Sequence, residues 1–545
     1  MSPIEYNLLD EPWICVVGKD CAPVRISLTD ALVDAHRYAD LGGELPTQDI
    51  AILRLLLAVL HTVFSRVDEN GDDSPLENVG EALRRWQGLW QRGSFPEAPI
   101  RQYLAQWRDR FWLFHPERPF YQVNAADIGT AYTSAKLNGE LSESGNKVKL
   151  FPVQTGAGRE RLDYAEAARW LIYQNAFDDN SSKPKGKNPP APGIGWLGEL
   201  GLIQAVGENL FETLMLNLCL SNGMYLWEES NRPVWELDEP RSRERVEINI
   251  PENQAELLTL QSRRLLLKRE AGSVVGYSLL GGDFFPKENS LTETMTLWSR
   301  REDKKVNGVW YQPQRHNPDR FIWQEFSAIV SDRNRRSNDE ARDPGVVTWL
   351  ETLQTARILP GHFLVKLRIA SVQYGSSDYF ATDVCSDEMA LHTNLLSELG
   401  EAWRAMIEAE VALCADCANR VGWFAANLDK AAGDRKGSHE ATAKARFFAA
   451  VDVPFRAWLA ELDAENDPEA LNAASKSWRN QVRSIALGLG ETMIAQTDNT
   501  AFVGRTVKEK QNGKEVENHY SAPEAWIAFR RSIYKLYPID DEVKR

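Results

Sequence analysis

The sequence predicts an α+β protein, with a large irregular mixed α/β domain over residues 1–385 followed by a four-helix bundle over 386–545. Three observations lead there. Length is the first: 545 residues exceed what a single core organises. The second is that, up to about Ser386, short strand-like and helix-like runs alternate without a regular βαβ period. The third is the change of pattern beyond that point, where apolar residues recur at spacings of three and four. They run through Leu391, Leu395, Leu399, Ala402, Met406, Ala409 and Leu413, then Phe448, Val451, Phe455, Trp458 and Leu462. Trp478, Val482, Ile485 and Leu489 follow, and finally Trp526, Phe529, Ile533 and Leu536. Gly433 and Gly437, Asn466 to Pro468, and a long Thr497–Tyr520 connection separate these helices, as an antiparallel bundle requires. Pro454 is placed to kink the second of them.

Within the first domain, NLLDEPWICVV and Ala22 to Ile26 read as strands, Leu28 to Ala35 as a helix start, and Gln48 to Val67 and Leu76 to Gly88 as helices. The aromatic, proline-bounded run FWLFHPERPFYQV (Phe111 to Val123) fits an irregular buried segment; such aromatics either line a sugar cleft or form core. In Asn146 to Gln174 a glycine-containing loop feeds a helix. Asp163 is a plausible N-cap with Glu166 three residues on, so the helix begins near Tyr164. Lys147, Lys149, Arg159 and Arg161 surround the apolar tip Leu150-Phe151-Pro152-Val153. That loop suits contact with a polyanion, or else Phe151 belongs to the chain's own core.

Asp178 to Gly195, rich in Asn, Ser, Lys, Pro and Gly, predicts a flexible connection. A helix is expected from Leu202 or Glu208 to Cys219, then strands in VEINI, LLTLQSRRLLL and SVVGYSLLGG and near Val309 and Phe321. A helix over Val346 to Thr355 and strands through His362 to Gln373 complete the domain.

Six cysteines are consistent with reduced thiols; Cys414 and Cys417 form a CxxC inside a helical pattern with no second pair, which reads as packed thiols rather than half a zinc site. Eight scattered histidines give no metal motif, and no cofactor is expected. The most apolar stretch, Ala51 to Phe64, contains Arg54 and His61, so no membrane span is expected, and with no signal-like N-terminus the expected location is the cytoplasm. A net charge of −15 opposes freestanding nucleic-acid binding, yet basic residues gather locally. Lys183, Lys185 and Lys187 form one such group, Arg300 to Lys305 another, and Arg505, Lys508, Lys510 and Lys514 a third, the last of a kind that follows a phosphate backbone.

NLLDEPWI, FWLFHPERPFYQV, the loop and helix NKVKLFPVQTGAG…LDYAEAARWLIYQ, and LLTLQSRRLLL, in this order and ahead of the terminal bundle, resemble the CasA family, the large subunit of the type I-E CRISPR Cascade complex. The resemblance covers essentially the whole chain. It implies a nonenzymatic subunit that recognises a protospacer-adjacent motif in target double-stranded DNA, promotes strand separation for guide RNA pairing and recruits a helicase-nuclease in antiviral defence. The partners it implies are the other Cascade subunits, the 5′ end of the guide RNA, the target duplex and the helicase-nuclease. Carried onto this chain, the docking loop near the guide end is Leu150, Phe151, Pro152, Val153 and Gln154, and the glycine-rich loop is Pro192 to Gly198 with Gly193 and Gly195. The basic finger is represented by Lys304, and the wedge falls on QYGSSDY with Ser376, Ser377 and Asp378, where the family's familiar glutamine is replaced.

Two other classes compete. A carbohydrate-active enzyme accounts for 18 Trp but needs paired carboxylates, and Glu228, Glu229 and Asp238 stand in no recognisable motif. A helical adaptor accounts for the bundle and leaves the basic loops unexplained.

Overall fold

A computed structural model of the chain describes residues 4–142, 147–148, 156–180, 193–228, 232–246, 248–303, 308–330, 342–434, 436–464, 467–511 and 514–539. It is a mixed α/β protein with a helical C-terminal region, in two compact units. The first comprises Met1–Arg320, Asn334–Pro360 and Val365–Glu388; the second comprises Phe321–Arg333, Gly361–Leu364 and Met389–Arg545.

Small antiparallel sheets, rather than one large one, build the first unit. β1 (Glu5–Asn7), β2 (Ile14–Gly18), β3 (Pro23–Ile26) and β4 (Tyr38–Leu41) open the chain, with β2 between β3 and β4. β1 pairs with β5 (Trp112–Phe114), Asn7 opposite Trp112. β6 (Thr130–Thr133) joins a sheet completed much later, and β7 (Leu141–Ser142) pairs with β8 (Lys147–Val148). The helix Pro46–Phe64 packs inside this unit. It is long and apolar enough to cross a membrane by composition, yet 94% of that stretch is buried in the protein's own core. Its Arg54 makes a two-pronged ion pair with Glu293 at 2.7 and 2.9 Å, both side chains almost fully buried. Burial raises the Glu293 pKa, but Arg54 and the Trp196 indole outweigh it and hold the carboxyl below its ordinary value.

The helix Tyr164–Phe177 starts where the capping residue predicts, with Asp163 Oδ1 accepting from Glu166 N at 2.6 Å. The run from Phe111 is core: Phe111, Phe120 and Trp235 form a buried cluster, with Phe111 and Phe120 stacked at 5.1 Å. The sugar-cleft reading of those aromatics is therefore not supported.

Several expectations change. Leu202–Val206 is not the start of a helix but strand β9, buried at every position; the helix is confined to Leu210–Asn217, capped by Asn209. A strand buried on both faces loses its alternation and reads like a buried helix. Of LLTLQSRRLLL, Leu257 and Leu258 end a short helix, Gln254–Leu258, capped by Asn253, and only Arg263–Glu270 (β10) is a strand. β10 pairs with β11 (Ser273–Gly281), which pairs in turn with β6, Tyr277 opposite Tyr132. No strand forms at VEINI among the described residues, where Ile248 N merely reaches Phe284 O at 3.2 Å. Phe321 precedes a 3-10 turn, Ile322–Glu325, instead of lying in a strand. β12 (Trp298–Asp303) and β13 (Gly308–Pro313) form a hairpin, and the helix Gly345–Thr355 leads to β14 (Leu364–Tyr374) and β15 (Ala381–His392).

In the second unit, the helix Glu401–Ala432 packs against Glu440–Glu461, Pro468–Ala495 and Ala522–Leu536. Trp478 anchors the bundle, stacked on Trp458 at 5.3 Å and edge-on to Phe455 at 5.2 Å. Pro454 lies within the second helix. Cys414 and Cys417 are buried packed thiols, and burial pushes the Cys414 thiol up to about 12. Trp323 belongs to this unit, stacked on Phe455 at 4.4 Å with its indole donating to Asp452 at 2.9 Å. The Thr497–Tyr520 connection, expected as a loop, folds as a short helix, Asn499–Val503, and a hairpin of β16 (Arg505–Gln511) and β17 (Lys514–Tyr520).

Candidate nucleic-acid interface

Strand β9 organises the candidate site. The glycine loop Gly193–Gly198 runs into it, and β9 pairs with β14, Ile203 opposite Ile369 and Leu202 opposite Ala370. On its other side Ile203 N donates to Met295 O at 3.2 Å and Leu297 N to Gly201 O at 3.0 Å, just ahead of β12. Glycine loop, basic hairpin and the Ser376–Asp378 tip thus grow from one framework.

Two glycines in the loop answer different demands. Gly193 has φ +67°, a left-handed conformation costly for side chains, and its carbonyl accepts from Arg263 Nη2 at 2.7 Å. Gly195 is needed for space, since a Cβ there would lie 2.3 Å from the Ala176 carbonyl oxygen. The loop is thereby pressed onto the end of the Tyr164–Phe177 helix, where Gly195 N donates to Asp178 O at 2.8 Å. Beneath it, Arg263 and Asp178 form a fully buried ion pair at 2.5 Å, and Lys136 binds Asp179 at 2.7 Å.

At the end of the β14–β15 hairpin, Gly375 N donates to Phe380 O at 2.8 Å and closes a turn in which Ser377 and Asp378 both adopt positive φ, 59° and 57°. Ser376 and Ser377 are exposed, as is Tyr379. Asp378 is engaged: Arg315 donates to its two carboxylate oxygens at 2.9 and 3.2 Å and to Glu199 at 3.2 Å, while Lys287 meets Glu199 at 3.0 Å. Two cations and two carboxylates make this patch neutral overall. Burial opposes the Arg315 charge, but the Asp378 hydrogen bond and the Glu199 and Asp378 carboxylates outweigh it and raise the guanidinium pKa. Asn180 fastens the same turn, its N–H donating to Asp378 O at 2.9 Å and its amide to Ser377 O at 3.2 Å. Tyr374 OH donates to Phe177 O at 2.7 Å, which ties the hairpin to the helix end beside the glycine loop.

Gly193, Gly195, Ser376, Ser377 and Asp378 are therefore brought together. Lys304, the loop Leu150, Phe151, Pro152, Val153 and Gln154, and Lys183, Lys185 and Lys187 lie outside the described residues. Arg505, Lys508, Lys510 and Lys514 fall on the β16–β17 hairpin of the second unit, where strand register sets Lys508 opposite Glu517 and Lys510 opposite Glu515. The first of these is an exposed ion pair at 3.2 Å, so the hairpin carries both signs. Sequence reasoning missed Asn180, Arg315 and Tyr374. Arg315 follows the basic hairpin by two residues, but its partners are 63 and 116 positions away.

Fold and site define a mixed α/β protein of two units whose candidate site is built from a glycine loop and the turn of a hairpin. The family model for the CRISPR-associated protein Cse1 matches residues 7–489, and the chain belongs to that family. It is 33% identical over 334 residues to the CRISPR-associated protein CasA/Cse1 of Thermus thermophilus, an alignment that spans 60% of this chain and 60% of that relative. Cse1 from Thermobifida fusca superimposes with a TM-score of 0.82 at 27% identity, covering 98% of both chains. A chain of a solved CRISPR RNA-guided surveillance complex shares the fold, with a TM-score of 0.65 at 16% identity over 98% of this chain and all of that one.

Proposed function

We propose that this chain is the large, nonenzymatic subunit of a CRISPR RNA-guided surveillance complex. In that role it recognises a short protospacer-adjacent motif in target double-stranded DNA, promotes strand separation for guide RNA pairing and recruits a helicase-nuclease. The observation that carries the reading is the convergence of the glycine loop and the Ser376–Asp378 turn on the β9 framework from which the basic hairpin also grows, in a chain of the Cse1 family. The exposed hydroxyls at Ser376 and Ser377 are suited to the few base-edge contacts needed when guide RNA reads the rest of the target, while Gly193 and Gly195, whose carbonyl and N–H are bonded inside the protein, shape the loop beside them. Lys304 is assigned to the basic finger. Lys183, Lys185 and Lys187, with Arg505, Lys508, Lys510 and Lys514, are assigned to phosphate. The other complex subunits and the guide RNA 5′ end are the partners of Leu150 to Gln154, and the cytoplasm is the proposed location.

The test is binding of duplexes that differ only in the motif, by guide-loaded complex assembled with and without this chain. Motif discrimination should vanish when the chain is omitted; discrimination that persists without it overturns the reading. Phe151→Ala should weaken docking or target binding by about 2–4 kcal/mol while leaving the melting temperature unchanged. A sharp fall in melting temperature with unchanged binding would instead place Phe151 in the protein's own core.

A further inference from the structure

We propose that Arg315 is the positioning residue of this site, holding the Ser376–Asp378 turn in its left-handed conformation and thereby setting which motifs the site accepts. This rests on the motif-recognition reading above. Consecutive positive-φ residues without glycine are unfavourable in isolation, and Ser377 (φ 59°, ψ 26°) and Asp378 (φ 57°) are such a pair. Something must hold them. Asn180 holds the backbone carbonyls of both, and Arg315 holds the side chain, gripping both Asp378 oxygens while a second carboxylate, Glu199, fixes the guanidinium from the glycine-loop side. The guanidinium also lies over the Tyr374 ring at 5.5 Å, and Tyr374 is itself anchored on Phe177 O. Gly198 leaves room for this arrangement, since a Cβ there would meet Tyr374 OH at 2.4 Å. One planar fork therefore couples Glu199, directly after the glycine loop, to the turn that displays Ser376, Ser377 and Tyr379. Lysine cannot reproduce a bidentate grip with a simultaneous third contact. Both terminal nitrogens of Arg315 are held by carboxylates, so in this proposal it acts on DNA through the turn and not by touching phosphate.

The experiment measures duplex binding by the guide-loaded complex carrying Arg315→Gln, Arg315→Lys, Asp378→Asn or the Arg315→Gln/Asp378→Asn pair, over a panel of motifs at two salt concentrations. Each single variant should reduce the ratio between best and worst motif by about tenfold, and the pair should do no more than either alone. The salt dependence should stay as in the parent. Arg315→Lys should not restore the ratio. Unchanged discrimination overturns the proposal, as does a shallower salt dependence with discrimination intact, which would make Arg315 a phosphate contact. A variant with Ser376, Ser377 and Asp378 all replaced by glycine separates the two levels. If it discriminates motifs like the parent, the recognition reading of this turn has failed. If it loses discrimination while the Arg315 variants keep it, only the positioning role has failed. Melting curves of every variant check that the fold persists, and Asp378→Asn supplies the same test should Arg315→Gln not fold.

Discussion

Asp49 sits in the first turn of the buried helix Pro46–Phe64, where its Oδ1 accepts from Gly43 N at 2.7 Å. Burial pushes its pKa from 3.8 to about 7, the Gly43 hydrogen bond opposing only part of the effect. A carboxyl whose folded pKa is raised favours the folded state fully below its unfolded pKa, and that contribution is lost as pH rises through the folded value. Stability should therefore fall between about pH 4 and pH 7 through this group. Asp49→Asn should flatten that segment, raising the melting temperature at pH 8 and not at pH 4; parallel curves for parent and variant across the range would rule the effect out. The glycine loop gives a second residue-scale contrast. Gly195→Ala forces a Cβ against a carbonyl and should cost about 1–3 kcal/mol in denaturant unfolding. Gly193→Ala has open space and should cost about 1–2 kcal/mol for its backbone conformation alone.

At the scale of elements, the β16–β17 hairpin shows how pattern and charge separate. Val507 is buried while Lys508 and Glu517 face solvent as a pair, and Lys430 lies over the Tyr520 ring at 4.9 Å. Exposed ion pairs of this kind contribute little to stability, about 0–1 kcal/mol. Arg505→Gln, Lys508→Gln, Lys510→Gln and Lys514→Gln together should therefore leave the bundle folded. If the hairpin follows phosphate, the quadruple variant weakens target binding about equally for every motif and flattens its salt dependence, since phosphate carries no base code. Gly193, Gly195 and Ser376 variants should instead reorder the motifs. Equal effects of both sets on every motif would remove this division of labour. The hairpin was illegible in the sequence because its alternation is of Lys and Glu around one buried valine, so no apolar period marks it. The bundle helices were legible for the opposite reason: Phe455 and Trp458 stand at helical spacing on one helix, Trp478 heads the apolar pattern of the next, and the three meet in one core.

For the whole molecule, the net charge of −15 and the paired cations at Arg315 and Lys508 lead to one expectation. The isolated chain should bind DNA weakly, with little sequence preference, and lose that binding as salt is raised. Tight, motif-specific binding by the chain alone at physiological salt would contradict assembly-dependent recognition. Family resemblance pointed to the glycine loop and the turn as the places to look, and Asp163 announced its helix. Arg315 and Asn180 were not legible, because their roles are conferred by Asp378 and Ser377, distant in sequence and adjacent only once β9 and β14 have paired. That pairing also sets an order of events during synthesis. Lys366 opposite Val206 and Ala370 opposite Leu202 mean that β9 leaves the ribosome about 160 residues before its partner. At the usual pace of translation that is a wait of roughly 8–32 s, with a strand of wholly buried residues lacking its neighbour. β1 waits only for β5, and the helix Pro46–Phe64 needs no strand partner. The glycine loop is thus made early and completed late, and the Leu202–Val206 edge needs protection in the nascent chain until β14 arrives.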